Sequence, residues 1–289
     1  MSPALPLLIP HFSALAPDYD VLLCDVWGVV HNGVAAFPDA CDALMRARAR
    51  GSAVVFITNA PRQSEVVARQ LDRLHVPREA YDAIVSSGDV TRSVLQKHSG
   101  QSMFHIGPER DRSIYSGLNL HFTPLEQADF VICSGLDDDD VEGPDDYRAR
   151  LEVMLKRKLL MVCGNPDMVV ERGDRLVYCA GSIADLYATM GGEVLYAGKP
   201  YRPIYDLALE KAEAAAGRRL DRKRVMAVGD SVRTDLKGAH MAGLDFLFIT
   251  AGIHAEELGG RDSPDAKALN ATFAAAGEMP KAVMRHLVW

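Results

Sequence analysis

Short apolar runs alternate with helical stretches along most of this chain, and this alternation restricts its fold more than any other feature. Residues 21–24, 53–57 and 83–86 predict buried strands, and residues 38–50 and 63–74 between them predict helices. Strands that alternate with helices in this way are typical of a parallel sheet covered by helices on both faces. The sequence therefore predicts an α/β fold with a doubly wound, Rossmann-like parallel sheet.

The same alternation of strands and helices continues to the end of the chain, without an internal repeat or a low-complexity linker. Further strands are predicted at residues 103–106, 130–133, 159–163, 176–179, 224–228 and 246–250, and further helices at 89–97, 203–216 and 235–241. The alanine-rich tail beyond His254 is expected to be helical near its end. Nearly the whole chain is thus accounted for by α/β units.

The formal net charge of −7 argues against nucleic-acid binding, because phosphate backbones are bound by concentrated Lys and Arg. No run approaches the roughly 18 apolar residues that a membrane span needs. The apolar residues 1–10 lack a basic leader and are broken by prolines, so they do not read as a signal peptide. We expect no nucleic-acid or membrane partner and a cytoplasmic location; a homodimer is compatible with the sequence.

Cysteines and clustered acids are expected to be structural. None of the cysteines forms a Cys-x-x-Cys pair, and most lie in apolar runs, which favours small buried side chains over a zinc site or a reactive thiol. The acidic run at residues 137–140 has no fixed ligand spacing, which favours a solvated loop and helix start over a metal site.

Polar clusters stand directly after four of the predicted strands. They contain Asp25, the pair Thr58-Asn59, Lys199, and Asp230 with Asp235 beyond it. Because ligands of open parallel sheets bind at the carboxyl ends of the strands, groups far apart in sequence are expected to share one pocket.

These residue types suit phosphoryl transfer, which depends above all on positioning and electrostatic stabilisation. A carboxylate can attack phosphorus and form an aspartyl-phosphate, and further oxygens can hold Mg²⁺. Cationic and neutral donors, including backbone amides of a glycine-containing loop, can hold the phosphoryl oxygens. The candidates are Asp25 as nucleophile, Asp230 and Asp235 at the metal, and Thr58, Asn59, Lys199 and Gly28 at the phosphate.

The order of these motifs resembles that of the haloacid dehalogenase-like hydrolases, and specifically of their subfamily IIA, which includes nucleotide, sugar, p-nitrophenyl and pyridoxal phosphate phosphatases. The matching segments are Asp25 with Gly28, residues 56–59, residues 198–200, and residues 229–231 with Thr234 and Asp235. The resemblance implies catalytic roles for Asp25, Lys199 and Thr58. It also implies a Mg²⁺ site formed by Asp25, the backbone carbonyl of Trp27 and Asp230, with Asp235 supporting it.

The resemblance also implies two structural parts. Residues 1–98 and 194–289 would form the catalytic core, and residues 99–193 an inserted α/β cap that contacts the leaving group and sets specificity. Asn165 and Asp167 are candidate cap contacts to the substrate; helix capping or a tight turn is the competing interpretation.

Trp27 is the departure from the family pattern that matters most. Phosphatases of this family carry a second Asp two positions after the nucleophile, and its side chain protonates the leaving alkoxide and then activates water. Any residue supplies the carbonyl that binds Mg²⁺, but an indole offers no useful acid or base. General acid–base catalysis contributes about 10²- to 10⁴-fold in rate.

Three interpretations follow from Trp27. The enzyme acts on esters or anhydrides with good leaving groups, or another group such as His31 replaces the acid, or turnover is lost while phosphate-ligand binding remains. Dehalogenation is disfavoured, because Asp230 and Asp235 indicate a retained metal site. The sequence thus predicts a Mg²⁺-dependent phosphatase of a small phosphorylated metabolite, such as a sugar phosphate or nucleotide. The alternative is a catalytically weak binding or regulatory homologue.

Overall fold

Two parallel sheets and one hairpin contain the strands of the computed structural model, which describes residues 7–173, 175–260 and 264–289. The strands are β1 (Leu7–Leu8), β2 (Val21–Cys24), β3 (Ala53–Thr58), β4 (Ala83–Ser86), β5 (Ser102–Ile106), β6 (His121–Phe122), β7 (Phe130–Cys133), β8 (Leu160–Cys163), β9 (Val169–Arg172), β10 (Arg175–Tyr178), β11 (Val194–Tyr196), β12 (Val225–Gly229), β13 (Asp245–Ile249) and β14 (Ala282–Met284). The α-helices are α1 (Pro38–Ala49), α2 (Ser64–Arg73), α3 (Ser87–Gln96), α4 (Arg148–Arg157), α5 (Ala180–Thr189), α6 (Arg202–Ala216), α7 (Lys237–Ala242) and α8 (Ala266–Ala276).

The first sheet has the order β1-β14-β13-β12-β2-β3-β4, with every neighbouring pair parallel. Chain order runs outward in one direction from β2 through β3 to β4, and in the other from β12 through β13 to β14. The order therefore reverses between β2 and β12, where the register places Cys24 beside Val228. Open α/β sheets bind ligands at such a switch point.

Helices cover both faces of this first sheet. Leu22 and Cys24 of β2 pack in the same apolar cluster as residues of α1 and α2. Val21 and Leu23 pack in a second cluster with residues of α6, α7 and α8. Because successive side chains of a strand point to opposite faces, a fully buried apolar strand serves both clusters. The predicted doubly wound α/β fold is confirmed.

Local sequence signals explain how several helices begin and end. Pro38 occupies the first turn of α1, where its missing N–H costs no hydrogen bond. At α3, Ser86 Oγ accepts the N–H of Asp89 at 3.1 Å while Asp89 Oδ2 accepts the N–H of Ser86 at 3.1 Å, which is a capping box. Helix α6 ends at Gly217, whose φ of +64° is the left-handed conformation that glycine tolerates.

The second sheet has the order β11-β8-β7-β5-β6 and is also parallel, while β9 and β10 form a separate antiparallel hairpin. Four of its strands lie in the part of the chain that the sequence assigns to a cap, whereas β11 lies in the part assigned to the core. The limits 99–193 for that cap stay a prediction. Since β11 pairs with β8, we propose that the second junction follows Tyr196.

Most predicted elements are found within a few residues of their expected ends. The helix predicted at 235–241 begins instead with a π-helical turn, Val232–Leu236, that continues into α7. The cysteines at positions 24, 41, 133, 163 and 179 are all buried and unbridged. Residues 1–6 of the apolar N-terminal stretch lie outside the described residues. Across the described chain, no helix is both long enough and apolar enough to cross a membrane.

Candidate active site

Asp25 lies directly after β2, at the middle of the first sheet and at its carboxyl edge. Its backbone N–H donates to the carbonyl of Val228 at 2.8 Å, which extends the pairing of β2 with β12 by one residue. Only 7% of Asp25 is exposed. The fold therefore presents this carboxylate at the switch point of the sheet, as the sequence predicts.

Lys199 connects the carboxylates of Asp25 and Asp235. Its Nζ lies 2.6 Å from Asp25 Oδ1 and 2.6 Å from Asp235 Oδ1, and all three side chains are buried. Burial alone would lower the pKa of Lys199, but the charges of Asp235 and Asp25 raise that pKa well above its ordinary value. The ammonium is therefore retained as the counter-charge of two carboxylates.

Three carboxylates converge beside this ammonium. Asp25, Asp230 and Asp235 each offer an oxygen, and these oxygens lie within 4.8 Å of one another. Burial, followed by the charge of Asp235, raises the pKa of Asp230 to about 7. Burial and Asp235 also raise the pKa of Asp25, against the opposing charge of Lys199. Three buried carboxylates that share one ammonium leave an excess of negative charge, which fits a divalent cation.

Backbone amides hold two of these carboxylates in place. Asp230 Oδ2 accepts the N–H of Ile253 at 2.9 Å, and Asp235 Oδ2 accepts the N–H of Ser231 at 3.1 Å. Gly28 approaches the same group so closely that a Cβ there would lie 2.0 Å from Asp230 Oδ2. The loop after Asp25 thus requires glycine at this position for close packing, in addition to its φ of +82°.

Gly28 and Asn59, both predicted to contact phosphate, are engaged within the protein. The N–H of Gly28 donates to the carbonyl of His31 at 2.8 Å. Asn59 Oδ1 accepts the backbone N–H of Lys199 at 2.7 Å, and its Nδ2 donates to the Lys199 carbonyl at 3.1 Å and to Asp167 Oδ1 at 2.9 Å. Asn59 therefore positions Lys199. Phosphate contacts by either group stay predictions and would require these hydrogen bonds to be exchanged.

A cleft of about 180 Å³ opens in front of Asp25. Thr58 and Asp230 line it from the first sheet, and Thr58 Oγ1 accepts the N–H of Ala60 at 3.2 Å. Asp167 and Met168 line it from the segment before β9. The cleft thus lies between the first sheet and the hairpin, and it has the size of a small ligand group.

The side chain of Trp27 contacts the hairpin and offers no acid or base. Its Nε1–H donates to the backbone carbonyl of Glu171 in β9, so the indole joins the loop after β2 to the hairpin. The indole ring meets the ring of His31 edge-on, with centroids 5.0 Å apart. Gly33 packs beneath it, where a Cβ would lie 2.6 Å from the indole.

His31 is poorly suited to replace the missing acid. Its ring is buried, and its Nδ1 accepts the N–H of Gly33 at 2.9 Å. Burial lowers the pKa of His31 to about 4. At neutral pH this side chain is an uncharged imidazole that supports the loop.

Asn165 and Asp167, the candidate cap contacts, make the local turn contact of the competing interpretation, while their contact with substrate stays a prediction. Asn165 Oδ1 accepts the N–H of Asp167 at 3.1 Å, which is a local turn contact. Asp167 also lines the cleft and contacts Asn59. Sequence reasoning missed Glu171 and His254, which line the same cleft. The sequence carries no signal for Glu171, because its backbone makes the contact with Trp27.

Comparisons with known proteins identify the family of this chain. A family model described as haloacid dehalogenase-like hydrolase matches residues 22–121, and one described as HAD-hydrolase-like matches residues 196–275. The crystal structure of a hydrolase of the haloacid dehalogenase-like family from Brucella suis is 43% identical, covers 97% of this chain and 100% of its own, and superposes with a TM-score of 0.87.

Curated relatives are more distant. The 5'-nucleotidase YutF of Bacillus subtilis is 26% identical over 83% of this chain and 90% of its own length. The D-glycerol 3-phosphate phosphatase of Mycobacterium tuberculosis is 27% identical over 84% of this chain, which spans 66% of that relative's length. These matches confirm the family that the sequence motifs predict.

Proposed function

Because the chain belongs to the haloacid dehalogenase-like hydrolase family, we propose that it is a Mg²⁺-dependent phosphatase of a small phosphorylated metabolite. The observation that carries this proposal is the contact of Lys199 Nζ with both Asp235 and Asp25, the last of which lines the cleft. This contact brings together the proposed nucleophile, the proposed phosphate-binding cation and a carboxylate of the proposed metal site. Relatives named for nucleotide and glycerol phosphate hydrolysis support this substrate class.

Asp25 is the nucleophile of the proposed reaction. Its carboxylate oxygen forms a bond to phosphorus as the bond between phosphorus and the ester oxygen breaks, which gives an aspartyl-phosphate and the leaving group. Water then attacks phosphorus, releases phosphate and restores the carboxylate. Burial raises the pKa of Asp25, and the ammonium of Lys199 opposes that rise by favouring the anion that attacks.

Two side chains would hold the phosphoryl group in this proposal. Lys199 supplies a buried positive charge, and the hydroxyl of Thr58 lines the cleft. Positive charge and donors that are fixed before reaction stabilise the charge of the transition state without reorganisation. We propose both as catalytic residues, with Asn59 holding the backbone of Lys199.

The carboxylates of Asp25 and Asp230 and the carbonyl of Trp27 would hold Mg²⁺, with Asp235 supporting the site. Mg²⁺ prefers such oxygen ligands, and when bound it neutralises charge on the phosphoryl group. The excess of buried carboxylate over ammonium at this site supports the assignment.

Trp27 favours substrates whose leaving groups depart without protonation. Its indole N–H is engaged with Glu171, and His31 is uncharged and hydrogen-bonded, so neither takes over the role of the absent Asp. The same observation favours a second candidate function, which is phosphate-ligand binding with weak or no turnover.

A phosphomonoester screen with and without Mg²⁺ separates the two candidates. Metal-dependent release of phosphate that Asp25→Asn abolishes supports the phosphatase. Asp145→Asn is the matched control, because this acid has a 78% exposed side chain and pairs with Arg148, and it lies outside both the cluster of carboxylates and the lining of the cleft. Absence of turnover, together with binding of inorganic phosphate by calorimetry, would establish the binding protein instead.

A further inference from the structure

A second cavity of about 80 Å³ lies beside the proposed phosphate site. It shares Trp27, Thr58, Asp167 and Val170 with the first cleft, so a leaving group attached to a bound phosphate can extend into it. Its lining is rich in guanidinium groups from both parts of the chain, namely those of Arg62, Arg110 and Arg172.

Arg62 is fixed on the core side of this cavity. Its Nε lies 3.1 Å from Oδ1 of Asp111, a side chain that is only 3% exposed, and its Nη1 donates to Gln70 Oε1 at 3.0 Å. The charge of Arg62 is therefore balanced by Asp111, and these two contacts hold its side chain against the cavity wall.

Arg110 and Arg172 share a single carboxylate, that of Asp139. Arg172 Nη2 lies 2.7 Å from Asp139 Oδ2 and its Nη1 lies 3.3 Å from Oδ1, while Arg110 Nη2 also contacts Oδ2. Although burial raises the pKa of Asp139, the hydrogen bond from Arg172 and the charge of Arg110 hold that pKa below its usual value. Two guanidinium groups carry far more N–H donors than two oxygens can accept.

The arginine pair therefore has N–H donors to spare. The side chains of Arg110 and Arg172 are 47% and 37% exposed, whereas Asp139 is 11% exposed. Asp140 lies 3.5 Å from Arg172, but it is 62% exposed and also faces Arg175. Asp167 lines the cavity as well, but its carboxylate is engaged with Asn59.

We propose that Arg110 and Arg172 bind an oxyanion on the leaving group, so that preferred substrates are phosphate monoesters whose leaving group carries a carboxylate or a second phosphate. This inference rests on the proposed phosphatase function and narrows its substrate class. Guanidinium groups suit both oxyanions because their donors match two oxygens at once. The acidic run at 137–140 then serves to hold the arginines in place.

Matched substrate pairs test the inference. The carboxylate arm compares 3-carboxyphenyl phosphate with 3-carbamoylphenyl phosphate, and the phosphate arm compares glycerol 1,3-bisphosphate with glycerol 3-phosphate. We expect kcat/KM to be at least about 10-fold higher for the anionic member of one pair. Arg172→Gln should reduce that preference about 10- to 100-fold through KM, as expected for charge-assisted hydrogen bonds, and leave the neutral member within about twofold.

Arg175→Gln is the matched control, since Arg175 lies in the same hairpin and faces Asp140 but does not line the cavity. Arg172→Lys, which keeps the charge, should retain part of the preference, and thermal unfolding of each variant checks that it is folded. Equal kcat/KM within both pairs, or equal losses for both members in Arg172→Gln, would overturn the inference while the phosphatase function stands.

Calorimetric binding of the same four compounds to Asp25→Asn separates this inference from the proposed function. If the wild type hydrolyses no ester of the phosphomonoester screen, but an anionic member of these four compounds binds more tightly and Arg172→Gln removes that difference, the phosphatase proposal fails and the oxyanion site stands. If no binding preference is found either, both fail.

Discussion

At position 27 the backbone and the side chain serve different parts of the molecule. The carbonyl follows Asp25 by two residues and is proposed to face the metal, as it would with any residue at this position. The side chain instead reaches the hairpin, where Nε1–H donates to the carbonyl of Glu171. The indole therefore links the loop after β2 to β9, at the position where the family resemblance predicts an acid–base group.

Introducing the family's acid tests this reading of Trp27. In Trp27→Asp, a protonated carboxyl could donate to a poor leaving group, so we expect kcat for alkyl phosphates to rise. The gain should be about 10-fold or more, below the full 10²- to 10⁴-fold range because the surrounding loop is shaped for an indole. Aryl phosphates, which leave without a proton, should gain less than about threefold. Steady-state kinetics on both ester classes measures the difference.

Trp27→Asn is the control for that change, because it removes the indole without adding an acid. Both variants lose the hydrogen bond to Glu171, so an effect common to them reports on the hairpin contact. If wild-type protein already hydrolyses alkyl and aryl phosphates at equal rates, another acid acts in this site and our account of Trp27 is wrong.

The sequence places together the residues that follow strands, and it names Asp167 as a candidate contact without revealing which residue it binds. Asp25 and Asp230 end neighbouring strands of one sheet, so the pattern of apolar runs is enough to place them together. The contact of Asp167 with Asn59 spans more than a hundred residues and depends on how the second part folds back. No periodicity in the sequence carries that information.

Among the elements, β11 shows why strand patterns did not fix the arrangement of the whole site. The sequence predicts that Lys199 follows a strand of the same sheet as Asp25. The structure places β11 beside β8 in the second sheet. Lys199 nevertheless reaches Asp25, because Asn59 binds its backbone on both sides of the residue. Pairing between strands is a long-range property, and a short apolar run does not specify its partner.

Strand β5 contains a histidine whose burial makes stability depend on pH. Burial, followed by the charge of Arg112, lowers the pKa of His105 to about 4, and its Nε2 lies 2.9 Å from Ser134 Oγ. In the unfolded chain a histidine titrates near 6.5. Between these values the unfolded chain binds a proton that the folded protein does not, so the stability present above about pH 6.5 is lost as the pH falls towards 4.

We expect His105 to account for a loss on the order of 2–3 kcal/mol across that range. His105→Gln keeps a polar group for Ser134 but does not titrate, so its free energy of unfolding should fall less steeply from pH 7 to pH 4.5. Urea unfolding at several pH values measures this slope. His121→Gln, on the exposed strand β6, is the control. A slope in His105→Gln as steep as that of wild type would contradict the prediction.

For the whole molecule, the distribution of charge matters more than its sum. Because the formal net charge is −7, an anionic substrate has to be bound by local cations. The net charge does not reveal that carboxylates gather around Lys199, or that arginines gather in the adjoining cavity. Each group joins residues that are far apart in sequence, which net charge does not record. The family resemblance predicts two structural parts, but it does not predict the contacts that residues of one part make with residues of the other.

The carboxylate cluster predicts that Mg²⁺ stabilises the whole protein. Without the ion, three buried carboxylates share one ammonium, and an ion that binds only the folded state adds about 2.7 kcal/mol at a concentration 100 times its Kd. Thermal unfolding with and without Mg²⁺ should therefore show a rise in Tm of several degrees. Asp230→Asn should remove most of that rise, whereas Asp145→Asn, an exposed acid, should preserve it. An unchanged Tm in wild type at millimolar Mg²⁺ would refute a metal site here, whatever the activity of the protein.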